Sequence, residues 1–216
     1  MSTPATIAVA NTKGGTSKTT TAAFLLHAAA ERGMDVLGVD ADPENESLLR
    51  WSELGEWTVP VVGLPVTTLH SKLAGIRGTR DLVVIDTPPM ERRPGVVTSA
   101  LRAATHLVIP MAPTAMDYDR LAAMLDLTND VEPLRDQPLQ ISIILTQVVR
   151  SAAAGDVYAE LAAETGTEYD AHVLRSRIPM LQRFAQSFGI PIDRASGTAY
   201  GDALQEVLAP SERPTA

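Results

Sequence analysis

The stretch Asn11-Thr12-Lys13-Gly14-Gly15-Thr16-Ser17-Lys18-Thr19-Thr20 decides the fold. The short apolar segment Ile7-Ala8-Val9-Ala10 precedes it, and an apolar-periodic segment, 22–30, follows. Strand, glycine-rich turn and helix in that order are the setting of a phosphate-binding loop. Glycines let the backbone approach closely enough for its N–H groups to ring a phosphate. The following helix points its positive dipole end at the same anion. Lys18 adds a full charge, and the Thr19 hydroxyl is placed to hold Mg²⁺. The expected ligand is a nucleoside triphosphate.

The loop departs twice from the pattern G-x-x-x-x-G-K-[ST]. An extra lysine, Lys13, stands directly before the glycine pair, and Ser17 replaces the glycine before Lys18. Lys13 and Lys18 are two of only three lysines, the third being Lys72, and arginine supplies the positive charge elsewhere. Two lysines in one glycine loop therefore read as chemistry rather than as an ordinary strand-to-helix connection. If the backbone at Ser17 is left-handed, serine there costs about 1 kcal/mol.

The chain has 216 residues, 45% of them apolar and 20% charged, with a net charge of −8. That is one domain of ordinary size, expected over 1–208, with 209–216 as a frayed tail. There is no cysteine, so disulfide, thiolate, iron–sulfur and zinc-thiolate chemistry are excluded. The start Met-Ser-Thr-Pro has no signal-like pattern, and no apolar run reaches about 18 residues. A cytoplasmic protein is expected. The acidic balance opposes whole-surface attraction to nucleic acid, so any DNA contact needs a local basic patch.

Nearly continuous apolar runs predict strands at Ile7–Ala10, Val36–Val39, Leu82–Ile85, Leu107–Ile109 and Ile141–Leu145, with weaker ones at Val59–Val62 and Glu168–Ala171. Helical spacing predicts helices at Thr19–Arg32, Ser47–Leu54, Leu69–Gly75, Val96–Ala103, Tyr118–Asp130, Ala152–Thr165, Met180–Phe188 and Tyr200–Leu208. Asn129 to Pro138 reads as a connecting loop. The alternation predicts an α/β fold: a doubly wound, mostly parallel sheet flanked by helices, with ligands at the carboxyl ends of the strands.

Two acidic motifs fall at predicted strand ends. In Val39-Asp40-Ala41-Asp42-Pro43 the carboxylates are two apart and face the same way in extended chain. Beside a triphosphate they require Mg²⁺ between, one orienting its waters and the other an attacking water. The alternative is a polar turn capping the next helix. In Leu82-Val83-Val84-Ile85-Asp86-Thr87-Pro88-Pro89 four apolar β-formers and then an aspartate form the pattern that delivers a carboxylate to a buried Mg²⁺ site; the alternative is an aspartate that starts a turn. The prolines stiffen a loop suited to sensing a γ-phosphate.

With these motifs the chain resembles the ParA/MinD group of P-loop ATPases, and among them the small plasmid-partition ParA (ParF-like) proteins without an N-terminal DNA-binding extension. The resemblance runs through the deviant loop Lys13-Gly-Gly-x-x-Lys-Thr-Thr, the motif Val39–Pro43, Ile85–Pro89, Ile109–Thr114, and Arg177-Ile-Pro through Ser187–Pro191. It implies an ATPase, weak without its partner, that uses ATP/ADP and Mg²⁺. The nucleotide-binding positions would be Lys13, Gly14, Gly15, Thr16, Ser17, Lys18, Thr19 and Thr20. Lys13 would be the signature lysine that reaches across a dimer, Lys18 the lysine on the β- and γ-phosphates, and Asp42 the residue that positions water. Thr19, Asp40 and Asp86 would serve the metal, and Pro179 and Met180 the adenine. The implied cycle is an ATP-driven homodimer, non-specific DNA binding that places it on the nucleoid, and hydrolysis stimulated by a ParB-type partner.

Arg175, Arg177 and Arg183 lie in the least acidic region and are the candidate DNA contacts; a solvated face with arginine–aspartate pairs is the alternative. Arg92 and Arg93 would serve the partner or the dimer. A membrane-bound MinD-type positioning ATPase is disfavoured because the tail is neither amphipathic nor basic. A metabolic ligase on the same scaffold would need a sizeable small-molecule pocket. An electron carrier of the nitrogenase-reductase type is excluded by the missing cysteines.

Overall fold

Runs such as Leu82–Ile85 have no polar face, so they are stable only with cover on both sides. A computed structural model of the chain, describing residues 4–149 and 153–209, supplies that cover. The elements run β1 (Ala5–Val9), α1 (Lys18–Glu31), β2 (Val36–Asp40), α2 (Ser47–Leu54), β3 (Val61–Gly63), α3 (Leu69–Arg77), β4 (Leu82–Asp86), α4 (Pro94–Ala103), β5 (His106–Met111), α5 (Ala115–Asp119), α6 (Leu121–Val131), β6 (Gln140–Leu145), α7 (Ala154–Thr167), β7 (Ala171–Val173), α8 (Gln182–Ala185) and α9 (Ala199–Leu208). Short 3-10 turns cover Glu132–Leu134 and Ala195–Gly197.

The seven strands form one parallel sheet in the order β3-β2-β4-β1-β5-β6-β7. Successive side chains go to opposite faces, as the period of two requires. Ile7 and Val9 join the core under α1 and α9, while Ala8 and Ala10 join the core under α4 and α6. In β4, Leu82 and Val84 take the first face and Val83 and Ile85 the second. All of these are fully buried, and each large one contributes roughly 1.5–3 kcal/mol of burial.

Most predicted boundaries fall within two residues of the observed ones, and Ser47–Leu54 coincides with α2. Three expectations are corrected. The helix expected over Met180–Phe188 is a single turn, α8, because Leu181 is extended (φ −120°, ψ 143°) and Gln186 already ends it. The helix expected over Tyr118–Asp130 is two, α5 and α6, which meet at Arg120. Asn129 to Pro138 is not all loop: α6 runs to Val131 and a 3-10 turn follows. Ala152 and most of the expected tail, 210–216, lie outside the described residues.

Candidate nucleotide site

Three loops meet at one edge because the strands that feed them are neighbours. The register aligns Asp40 with Asp86 across β2 and β4, and Asp86 with Val9 across β4 and β1. Segments 10–17, 41–46 and 87–93 therefore leave the sheet side by side. The third also follows the first by backbone pairing, Met90 N–H to Asn11 O at 3.2 Å and Glu91 N–H to Thr12 O at 3.1 Å.

Within the glycine loop the chain turns through Gly15 at φ +80° and Ser17 at φ 64°. The first is a conformation glycine adopts freely. The second is the costly left-handed position foreseen for serine. The Ser17 side chain does not cap α1, which leaves that helix's first N–H groups to the loop's concave face. Lys18 is 7% exposed. Its Nζ donates to Lys13 O at 2.6 Å and to Thr16 Oγ1 at 3.5 Å. Burial lowers the Lys18 pKa, and the charges of Asp86 and Asp42 oppose that shift. Lys13 turns the other way: its half-exposed side chain lies 4.0 Å from Glu91.

Asp86 is fully enclosed. Burial pushes its carboxyl up to about 8 against a hydrogen bond from Thr19; Asp40 raises it further, Lys18 opposes the rise and Asp42 adds to it. Its Oδ1 has no partner among the described residues. An orphaned acceptor beside a threonine hydroxyl and a buried ammonium is a place that a hard dication or its waters would satisfy. Asp40 is raised by burial and held by N–H groups of Leu49 and Asp42, each at 2.9 Å. Asp42 accepts from Glu44 N–H at 3.0 Å and from Asn45 Nδ2 at 2.8 Å. Both aspartates thus do the work of turn and helix capping; Asp42 lines the cavity at the glycine loop, whereas the Asp40 carboxylate is turned to the start of α2. Among the described residues no three acidic or imidazole groups form a self-sufficient metal cage. Mg²⁺ at this edge would draw most of its ligands from phosphate and water.

A cavity of about 330 Å³ follows, walled by Gly14, Gly15, Lys18, Thr19, Asp42 and Thr87. A second, of about 210 Å³, shares Ser17 and Thr20 with it and is closed by Thr146, Gln147, Pro179, Met180 and Tyr200. The two expected adenine residues are there because segment 178–180 pairs onto the end of β6: Ile178 N–H to Leu145 O at 2.8 Å, Met180 N–H to Val148 O at 2.9 Å. Thr146, Gln147 and Tyr200 were not foreseen. Neither was Glu44, whose carboxylate binds Arg92 at 3.0 Å and Arg93 at 3.3 Å and so ties the two acidic loops together.

The candidate DNA residues separate. Arg177 is paired with Asp156 at 2.5 Å. Arg175 is exposed, and its backbone N–H bonds Glu206. Arg183 stands 5.1 Å over the Phe184 ring and shares with Arg194 an open cavity of about 750 Å³. Neither Arg183 nor Arg194 has a carboxylate partner among the described residues. Among the described residues no helix is long and apolar enough to cross a membrane.

Comparison with known proteins agrees with this geometry. The family model described as "CobQ/CobB/MinD/ParA nucleotide binding domain" matches residues 7–192. The protein named ParA from Rhizobium radiobacter is 31% identical over 168 residues, covering 75% of this chain and 74% of that protein. The chromosome-partitioning ATPase Soj of Thermus thermophilus is 30% identical, covering 94% and 95%. Among solved structures, a variant of Cyanothece McdA in complex with ATP superposes with a TM-score of 0.73 over 100% of both chains at 16% identity, a likeness of fold alone.

Proposed function

We propose that this chain, which belongs to the CobQ/CobB/MinD/ParA family of nucleotide-binding proteins and is an ATPase, is a partition ATPase that moves DNA by switching between nucleotide states. Mg²⁺ and the phosphates of ATP occupy the 330 Å³ cavity, and the base occupies the 210 Å³ one. Lys18 neutralises the phosphates from within. Thr19 and Asp86 face the metal, Asp40 orients its waters, and Asp42 aligns the attacking water.

The observation that carries the reading is the division of labour between the loop's lysines. Lys18 points in, whereas Lys13 points out across the loop's rim. An outward ammonium at the rim of a triphosphate site is placed to meet a second copy's phosphates. ATP then holds two copies together, and loss of the γ-phosphate weakens the attraction. A ligand that contacts one state only biases a two-state equilibrium in this way.

DNA binding by the ATP-bound pair rests on Arg183, joined by Arg175 and Arg194, with Arg177 committed to Asp156. Pairing doubles the patch, and phosphate contacts add in log-affinity. A ParB-type partner stimulates hydrolysis, and the ATP form sits on the nucleoid. The test is retardation of arbitrary duplex DNA with ATP and with ADP. Salt-sensitive retention with ATP alone supports the reading, and equal retention in both states refutes it.

A further inference from the structure

Asp42 lines the cavity at the glycine loop, but its own turn holds it from one side only. Its carboxylate accepts from the N–H groups of Glu44 at 3.0 Å and Asn45 at 3.4 Å, and from Asn45 Nδ2 at 2.8 Å. Glu46 N–H closes the turn on Asp42 O at 3.1 Å, with Glu46 itself in left-handed backbone at φ 45°. All of these bonds lie within 42–46. They fix the shape of the turn and leave open how far it stands from the glycine loop.

One side chain supplies the second constraint. Among the described residues, Glu44 alone in 41–46 reaches another segment through its side chain by hydrogen bond or ion pair. Arg92 Nη1 donates to Oε2 at 3.0 Å, and Arg93 Nε to Oε1 at 3.3 Å. A lone exposed ion pair would restrain little. Here adjacent arginines grip both oxygens of one carboxylate, which fixes its direction as well as its distance. The arginines are themselves anchored. Their backbone N–H groups both donate to Pro89 O, and the preceding Met90 and Glu91 pair with Asn11 and Thr12 beside the glycine loop. A continuous path thus runs from Asn11 and Thr12 through 90–93 to Glu44 and, by its N–H, to the Asp42 carboxylate. Neither Glu44 nor the two arginines line the cavity.

We propose that Glu44, held by Arg92 and Arg93, is a positioning residue for hydrolysis: it sets Asp42 at its working distance from the phosphates without touching nucleotide. This rests on the reading that Asp42 aligns the attacking water. Misplacing a reacting group by about 1 Å can cost on the order of 100-fold in rate. Loosening the path therefore slows the chemical step and leaves binding alone.

The experiment measures single-turnover hydrolysis of ATP with Mg²⁺, and ATP affinity by calorimetry, on the full chain. Wild type is compared with Glu44→Ala, with Arg92→Ala and Arg93→Ala combined, with Asp42→Asn, and with Glu44→Ala added to Asp42→Asn. Thermal melts check folding, and light scattering with ATP checks mass. Glu44→Ala keeps the backbone N–H that Asp42 uses. Each break in the path is expected to lower the hydrolysis rate about tenfold or more, with ATP affinity within about threefold of wild type and the mass unchanged. Asp42→Asn is expected to be slow as well. Adding Glu44→Ala to it is expected to cost no more than about twofold, because both changes act through one carboxylate. A wild-type rate in Glu44→Ala or in the arginine variant overturns the positioning role. So does a loss that tracks affinity or mass, or a full further loss on top of Asp42→Asn. Wild-type hydrolysis by Asp42→Asn overturns instead the reading of Asp42.

Discussion

The ammonium of Lys18 lies 2.6 Å from the carbonyl oxygen of Lys13, so one lysine of the glycine loop is clasped by the backbone of the other. The clasp turns Lys18 into the loop and leaves the Lys13 side chain on the rim, 4.0 Å from Glu91. A carbonyl and a long contact to the Thr16 hydroxyl are modest partners for a buried cation, and phosphate oxygens are stronger ones. The geometry therefore favours exchange of the first for the second.

Lys18→Ala removes that cation. ATP affinity is expected to fall about 100-fold or more, since charge-assisted hydrogen bonds contribute roughly 1.5–3 kcal/mol each. The melting temperature is expected to hold or rise, because a poorly paired buried charge is costly to keep. Nucleotide titration and thermal melts check both halves; wild-type affinity in the variant contradicts the assignment.

Asp86→Asn keeps the shape and removes a carboxyl whose charged form burial disfavours. The nucleotide-free variant is expected to be as stable as wild type or more stable, by about 1 kcal/mol. The gain in ATP affinity on adding Mg²⁺ is expected to shrink about tenfold, since the metal site loses its buried negative charge. Titrations with and without Mg²⁺ read the effect, and an undiminished Mg²⁺ dependence would rule Asp86 out of the metal site.

His27 is 7% exposed, packs edge-on to Trp57 at 4.4 Å and has no partner for Nε2 among the described residues. Burial lowers its pKa to about 4, against a smaller opposing pull from Glu31. Between about 6.5 and 4 the unfolded chain binds the proton and the folded chain does not. Stability therefore rises with pH across that window and is lost as the pH falls through it. From about pH 7.5 to about pH 5.0 this one group is expected to cost about 2 kcal/mol. Urea unfolding of wild type and His27→Leu at the two pH values isolates it; equal losses in both proteins would refute the account.

Arg183→Ala is expected to weaken DNA retention alike on all sequences. It should also lower the slope of log affinity against log salt by about one for each protomer. Titration at several salt concentrations checks this, and an unchanged slope removes Arg183 from the DNA face.

The parts of the fold that were legible in the sequence are those where one physical signal acts alone. Val36–Val39, even with Gly38 in it, and Leu82–Ile85 read as strands because short runs without a polar residue suit two-sided burial, and each proves one residue longer, ending on its aspartate. The strand, glycine turn and helix around Lys13–Thr20 read correctly because that order of residues is distinctive. Long-range pairings were not legible. Glu44 meets arginines 48 and 49 positions away. Gln147 reaches Ser17 across 130 positions, and glutamine is not a residue that announces a left-handed turn. Over 180–188 the apolar spacing misled: Phe184 is buried, whereas Phe188 stays half exposed on a loop against Trp51. Spacing alone does not distinguish a buried helical stripe from apolar residues that a loop brings to one aromatic cluster.

The central claim is that Lys13 acts on a second copy's nucleotide. Light scattering of wild type and Lys13→Ala with ATP, ADP and no nucleotide tests it most directly. The account predicts that ATP doubles the mass of wild type only, while Lys13→Ala still binds ATP and remains a monomer. An ATP-loaded Lys13→Ala protein that pairs as readily as wild type would contradict it.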